Sequence, residues 1–235
     1  MNRRAAGLFL AACWLARAAL AAQPATWPPF LPDRGLVPDD QAVEVEQVWT
    51  RRTFERHVRA PPVDVPAAIY VAVIDSPDIL AAAAHHLGLT DESAKAAGDG
   101  SFDLSSPGGS RARYRVLLSE PNRRVTLSRG THAAIGTHVS ATVLGNLKLS
   151  HGGEGPIEPE LDVFVLVENP VLSWLTRALQ WVLPSIADQE LLRGFRLAQA
   201  VATWAWKDPN AFCSWIATQD LPAGRVVDCQ RYVRP

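Results

Sequence analysis

Lysine is nearly absent from this 235-residue chain, which holds only Lys95, Lys148 and Lys207. Arginine carries the positive charge instead, and the formal net charge is −1. Without a basic excess there is no field to hold a phosphate backbone, so nucleic acid is excluded as a partner. Long hydrophobic runs are missing too. The run from Ala5 to Ala16 is short for a membrane span, and Arg17 interrupts its extension. No third ligand stands near Cys213 and Cys229 at zinc-site spacing, so no metal is expected. No serine sits in a nucleophile-elbow pattern. Gly152-Gly153-Glu154-Gly155 is glycine-rich but has no phosphate-binding helix after it, and reads as a hairpin loop. The expectation is therefore no catalytic residue and no cofactor.

Apolar residues are plentiful. They make up 48% of the chain, enough for a real core and too many for a disordered one. The length suits one domain with appendages.

The first residues read as a secretory signal peptide. Arg3 and Arg4 precede an apolar run, and Ala19-Leu20-Ala21 matches a small-x-small cleavage site. Two alternatives stay open: a lipid anchor through Cys13 in Leu10-Ala11-Ala12-Cys13, and an uncleaved anchor. Removal of residues 1–21 takes three arginines and no acids, leaving 20 basic against 24 acidic residues, a charge of −4. An exported chain, periplasmic or secreted, keeps Cys213 and Cys229 as an even pair in an oxidising compartment. A bridge between them would close a loop of about 15 residues and stabilise by roughly 3 kcal/mol. Two free thiols are the alternative.

Prolines at 24, 28, 29, 32 and 38 make residues 22–50 an extended arm. Trp27, Phe30, Leu31 and Trp49 are too apolar for a free tail, so part of the arm should lie on the domain. A strand is expected over 50–59. A helix capped by Asp64 and running to Asp75 should follow, then one from Ser76-Pro77 to Leu87 with Gly88 as its C-cap. Residues 90–100 read as a loop.

The period then changes to two. Segments 101–106, 111–119, 123–131, 139–149 and 161–168 read as strands. Parity turns Val139, Ala141, Val143, Leu147 and Leu149 inward, with Leu161, Val163, Val165 and Val167. On 111–119 the inward set is Ala112, Tyr114, Val116 and Leu118. Leu144, Phe164 and Leu166 then face the other way, and the arm or the 211–235 tail should cover them.

Residues 170–206 read as two helices, about 170–183 and 185–206, divided at Pro184. Leu191, Phe195, Ala198, Ala202 and Ala205 form a stripe on the second. Small residues there let a sheet approach closely.

The order is strand, two short helices, about five strands and a long C-terminal helix. It resembles the helix-grip fold of the START-like, or SRPBCC, superfamily, which includes the polyketide cyclases. The likeness rests on Phe54 to Leu87, on the strand-to-helix passage around Asn169, and on the Phe195 stripe. It implies an α+β domain over 51–206 whose curved antiparallel sheet wraps a C-terminal helix, with 207–235 packed on it. It also implies a hydrophobic or lipid-like small molecule held between sheet and helix. Tyr114, Val116, Val143, Val163, Val165, Leu191, Phe195 and Ala198 are the expected lining. A cyclase-type enzyme would instead need Tyr114, His138 or Arg196 to converge inside the cavity. A filled interior would indicate an envelope interaction protein.

Several residues have bland readings beside functional ones. His132 and His138 share a face only if one strand runs unbroken through Gly136, and otherwise are turn or surface residues. His85 and His86 end a helix, where positive character is favourable. Asp75, Asp78, Asp91 and Glu92 read as scattered and solvated. Trp204, Trp206, Phe212 and Trp215 either pack the helix against the tail or meet a membrane surface.

Overall fold

The computed structural model describes residues 26–134, 137–151, 156–168 and 183–219. The strands are β1 (Phe54–Arg59), β2 (Ser93–Ala96), β3 (Phe102–Ser105), β4 (Arg111–Glu120), β5 (Arg123–Ala134), β6 (Thr137–His151) and β7 (Ile157–Val167). They form one curved sheet in the order β1-β7-β6-β5-β4-β3-β2, with every neighbouring pair antiparallel. The helices among the described residues are α1 (Asp39–Arg51), α2 (Ala67–Ile74), α3 (Pro77–His86), α4 (Leu183–Lys207) and α5 (Pro209–Ile216). This is the helix-grip α+β arrangement.

Helix α4 lies against the concave face. Ala198, Val201, Ala202 and Ala205 are buried there with Leu149 and Ile157 of the sheet and with Ile69, Tyr70 and Val73 of α2. Small side chains on α4 allow this close approach. α4 includes Pro184, and most of the helix expected ahead of it, 170–183, lies outside the described residues. Phe212 and Ile216 of α5 join the same core.

The local signals explain most boundaries. α2 starts at Ala67, later than Asp64, because Val63 is engaged in a bridge to Ile157 and Pro66 occupies the N-cap. α3 has Pro77 in its first turn, where no N–H is needed. It ends with Gly88 at φ 69°, and the Leu89 N–H donates back to the Ala84 carbonyl, a Schellman-type stop. The stretch 90–100 is not all loop, since β2 forms the edge of the sheet.

The arm is not wholly extended. α1 follows Pro38, with Asp39 and Asp40 in its first turn and Arg51 in its last, as the helix dipole favours. Ala42, Val45 and Val48 are its buried face. Val45 and Val48 cover the convex side of the sheet together with Leu31, packing on Val125, Leu127 and Leu144. Phe30 stacks on Phe164 at 5.7 Å, and Trp49 meets Phe164 edge-on at 5.0 Å. Each fully buried valine or leucine here contributes about 1.5–3 kcal/mol over exposure.

One face assignment is corrected. The β4–β5 register shifts between Val116 and Leu118, so Leu118 comes opposite Val125 and joins the convex cluster. A bulge adds one residue and reverses the parity beyond it.

Candidate ligand-binding site

Two adjoining hollows lie between the concave face, α3 and α4, with volumes of about 480 and 330 Å³. Pro77, Leu80, Leu104 and Gly194 belong to the walls of both. Their existence follows from side-chain size. Inward positions hold Ala112, Gly130 and Ala141 on the sheet, and α4 opposes them with Gly194 and Ala198. At Gly130 a side chain is barred, because an added Cβ would come within 2.6 Å of the Ala112 Cβ.

The larger lobe is walled by Val139, Ala141, Val143 and Leu197 and edged by Ser93, Ser105, Ser106 and Ser110. Ser93 and Ser105 hydrogen-bond each other across β2 and β3 at 2.8 Å. At the same margin Arg193 of α4 donates to Glu92 at 3.2 Å and to Thr90 at 3.1 Å. That ties the helix to the chain entering β2.

The smaller lobe brings together Tyr70, Tyr114, Arg124, Thr126 and Glu190 among apolar groups from Ile74, Leu147, Leu161, Leu191 and Phe195. The Arg124 side chain is 7% exposed and its partner Asp75 29%. Nε donates to Oδ1 at 2.6 Å and Nη2 to Oδ2 at 2.9 Å, a bidentate pair. Nη1 donates to the carbonyls of Glu120 and Arg123. Burial pushes the Tyr114 phenol up to about 12, and the Asp75 charge adds to the rise, while a hydrogen bond with Thr126 and the Arg124 charge oppose it. Tyr70 is 0% exposed, and its Oη has no hydrogen-bond partner among the described residues. Burial raises its pKa as well.

The expected lining residues divide. Tyr114, Leu191, Phe195 and Ala198 stand in the wall of the smaller lobe, and Val143 in that of the larger. Val116, Val163 and Val165 line neither hollow. Val116 is 36% exposed, and Val163 and Val165 are buried on a β7 that pairs with both β1 and β6.

Arg196 is exposed and does not converge on the cavity. His132 and His138 lie on different strands, β5 and β6, with His138 paired to Ala133. The shared-face condition therefore fails. Asp75 is held by Arg124, not solvated at random. Asp78 is buried at the start of α3. Among the described residues no group of three or more His, Cys, Asp or Glu is placed to hold a metal ion.

Trp204 and Trp215 pack with Phe212 and His86, ring centroids 5.0–5.8 Å apart, while Trp206 stays outside at 44% exposure. Cys213 lies on α5, and Cys229 is outside the described residues.

Tyr70 and Arg124 escaped the sequence reading. Arg124 had a signal: Arg124, Thr126, Ser128 and Gly130 alternate with Val125 and Leu127, so β5 turns its polar face inward. Tyr70 had none, since α2 is apolar all round.

No family model matches the chain, and no curated protein is similar to it in sequence. Several solved structures are similar to it over part of the chain. A conserved protein from Geobacillus kaustophilus has a TM-score of 0.48 at 14% identity, over 64% of this chain and 95% of that one. The di-domain ARO/CYC BexL from the BE-7585A biosynthetic pathway has a TM-score of 0.43 at 12% identity, over 68% of this chain and 54% of that one. Ara h 8.0201 has a TM-score of 0.40 at 11% identity, over 64% of this chain and 97% of that one. These likenesses are of fold.

Proposed function

We propose that this protein binds a hydrophobic or lipid-like small molecule in the two-lobed cavity, without catalysis, after export from the cytoplasm. The observation that carries the reading is the cavity itself. Hollows of about 480 and 330 Å³, adjoining and walled mainly by apolar side chains between sheet and helix, are of ligand size. A core filled to the usual density would leave no such space.

The polar groups favour holding over turnover. The Arg124 guanidinium is bound by Asp75 and by backbone carbonyls. Burial keeps the Tyr114 phenol protonated well past neutrality. Export rests on the signal-like start of the chain, with cleavage after Ala21.

Mass spectrometry of an organic extract, taken from protein purified out of its native envelope, tests the reading. A stoichiometric hydrophobic compound supports it. A clean extract, together with no uptake of an apolar fluorophore by the purified protein, contradicts it.

A further inference from the structure

We propose that the smaller lobe receives the uncharged polar end of an amphipathic ligand, a ketone, ester or amide oxygen, with Tyr70 Oη as the hydrogen-bond donor. The apolar remainder of the ligand extends into the larger lobe. This inference rests on the binding function proposed above and adds the chemical class of the ligand's buried end.

Tyr70 supplies the first observation. It is fully buried in the lobe wall, and its hydroxyl lacks a partner among the described residues. A buried donor without an acceptor is costly, and native interiors rarely keep one. An acceptor arriving with the ligand would satisfy it. The neighbouring phenol differs, because Tyr114 is hydrogen-bonded with Thr126.

Charge supplies the second. Among the described residues the lobe's lining carries two charged side chains, Glu190 and Arg124, and four of the five Arg124 N–H donors are engaged, two by Asp75 and two by main-chain carbonyls. Arg124 has little left to offer a carboxylate or phosphate. Asp75 neutralises it, and the Asp75 charge already disfavours the anionic form of Tyr114. A further negative charge would meet the same opposition. The lobe therefore suits a neutral acceptor.

Continuity supplies the third. Pro77, Leu80, Leu104 and Gly194 belong to both lobes, so a chain anchored at Tyr70 has an apolar path onward.

The test uses the full chain and Tyr70→Phe, with diphenylhexatriene, a pure hydrocarbon, as the fluorescent occupant. Methyl decyl ketone and dodecanoate compete for it at mildly alkaline pH, where dodecanoate is ionised. The ketone should displace the dye at a concentration roughly tenfold below that of dodecanoate. Tyr70→Phe should weaken the ketone by roughly tenfold relative to the dye, each measured on the same variant. Dodecanoate competing as well as the ketone overturns the inference, as does a ketone affinity unmoved in Tyr70→Phe. In both cases the dye still binds and the binding function stands. Failure of the dye to bind the unaltered protein removes that function and this inference together. Where the variant does not fold, the comparison of the two competitors on the unaltered protein can still overturn the inference.

Discussion

At the scale of single residues, Arg124 and Asp75 give the sharpest expectation. They join β5 to the end of α2 across the cavity floor through a bidentate pair. Asp75→Asn leaves a buried guanidinium without its counter-charge, and should destabilise by about 3 kcal/mol. Arg124→Met with Asp75→Asn should cost less than the sum of the two single changes, because no unpaired charge remains. Urea denaturation of the four proteins measures this. The two phenols make a second expectation. Tyr114 is held up to about 12 against an ordinary value near 10, and Tyr70 is raised too. Below pH 10 both forms of the chain keep these protons, so this contribution to stability is complete. Above pH 10 the unfolded chain releases them first, and stability falls by about 1.4 kcal/mol per pH unit for each raised phenol until the folded protein titrates too. Tyrosinate absorbance should therefore rise late, in step with unfolding. A normal titration near pH 10 for every tyrosine would show these phenols exposed.

At the scale of elements, α1 is the cover of the sheet's outer face. Val45 and Val48 pack on Val125 and Leu144, and the Phe30, Trp49 and Phe164 rings close the end of the patch. Val48→Asp should detach α1 and expose a sticky surface, lowering stability by about 2–4 kcal/mol and raising dye binding outside the cavity. An unchanged melting point would show that α1 does not hold this face. The element also marks how far the sequence is legible. Strong alternation in 139–149 gives β6 and its faces, and the proline and glycine around α3 give its limits. The apolar residues of the arm imply that something lies on the domain. The proline spacing hides the helix, because the last of those prolines sits immediately before it and not within it. The bulge at Leu117 left no mark in the β4 sequence, since Leu117 and Leu118 are both apolar and either parity reads well. The sheet residues of the expected lining follow from parity alone. Parity names the concave face but not the part of it that α3 and α4 leave uncovered, so it names Val163 and Val165 together with Val143.

At the scale of the whole molecule, a curved sheet is covered by α1 outside and gripped by α4 inside, and the two sides are filled differently. The convex cluster is closed by large side chains. The concave side keeps its space because small residues on β4, β5 and β6 face small residues on α4. The C-terminal part of α4 is sealed by α5 and by the Trp204, Phe212 and Trp215 rings, which leaves the hollow toward its N-terminal part. A bridge from Cys213 to Cys229 would fasten the chain beyond α5. Intact mass before and after alkylation without reductant checks it, two added groups on a chain lacking residues 1–21 meaning that the bridge is absent. The most direct test of binding in the hollow is to fill it. Ala141→Phe places a ring in the larger lobe from a strand position that accepts aromatics. Fluorescence titration with diphenylhexatriene should show uptake by the unaltered protein and its loss in Ala141→Phe, with the thermal transition retained. Equal uptake by both proteins would place the apolar site elsewhere and contradict the account.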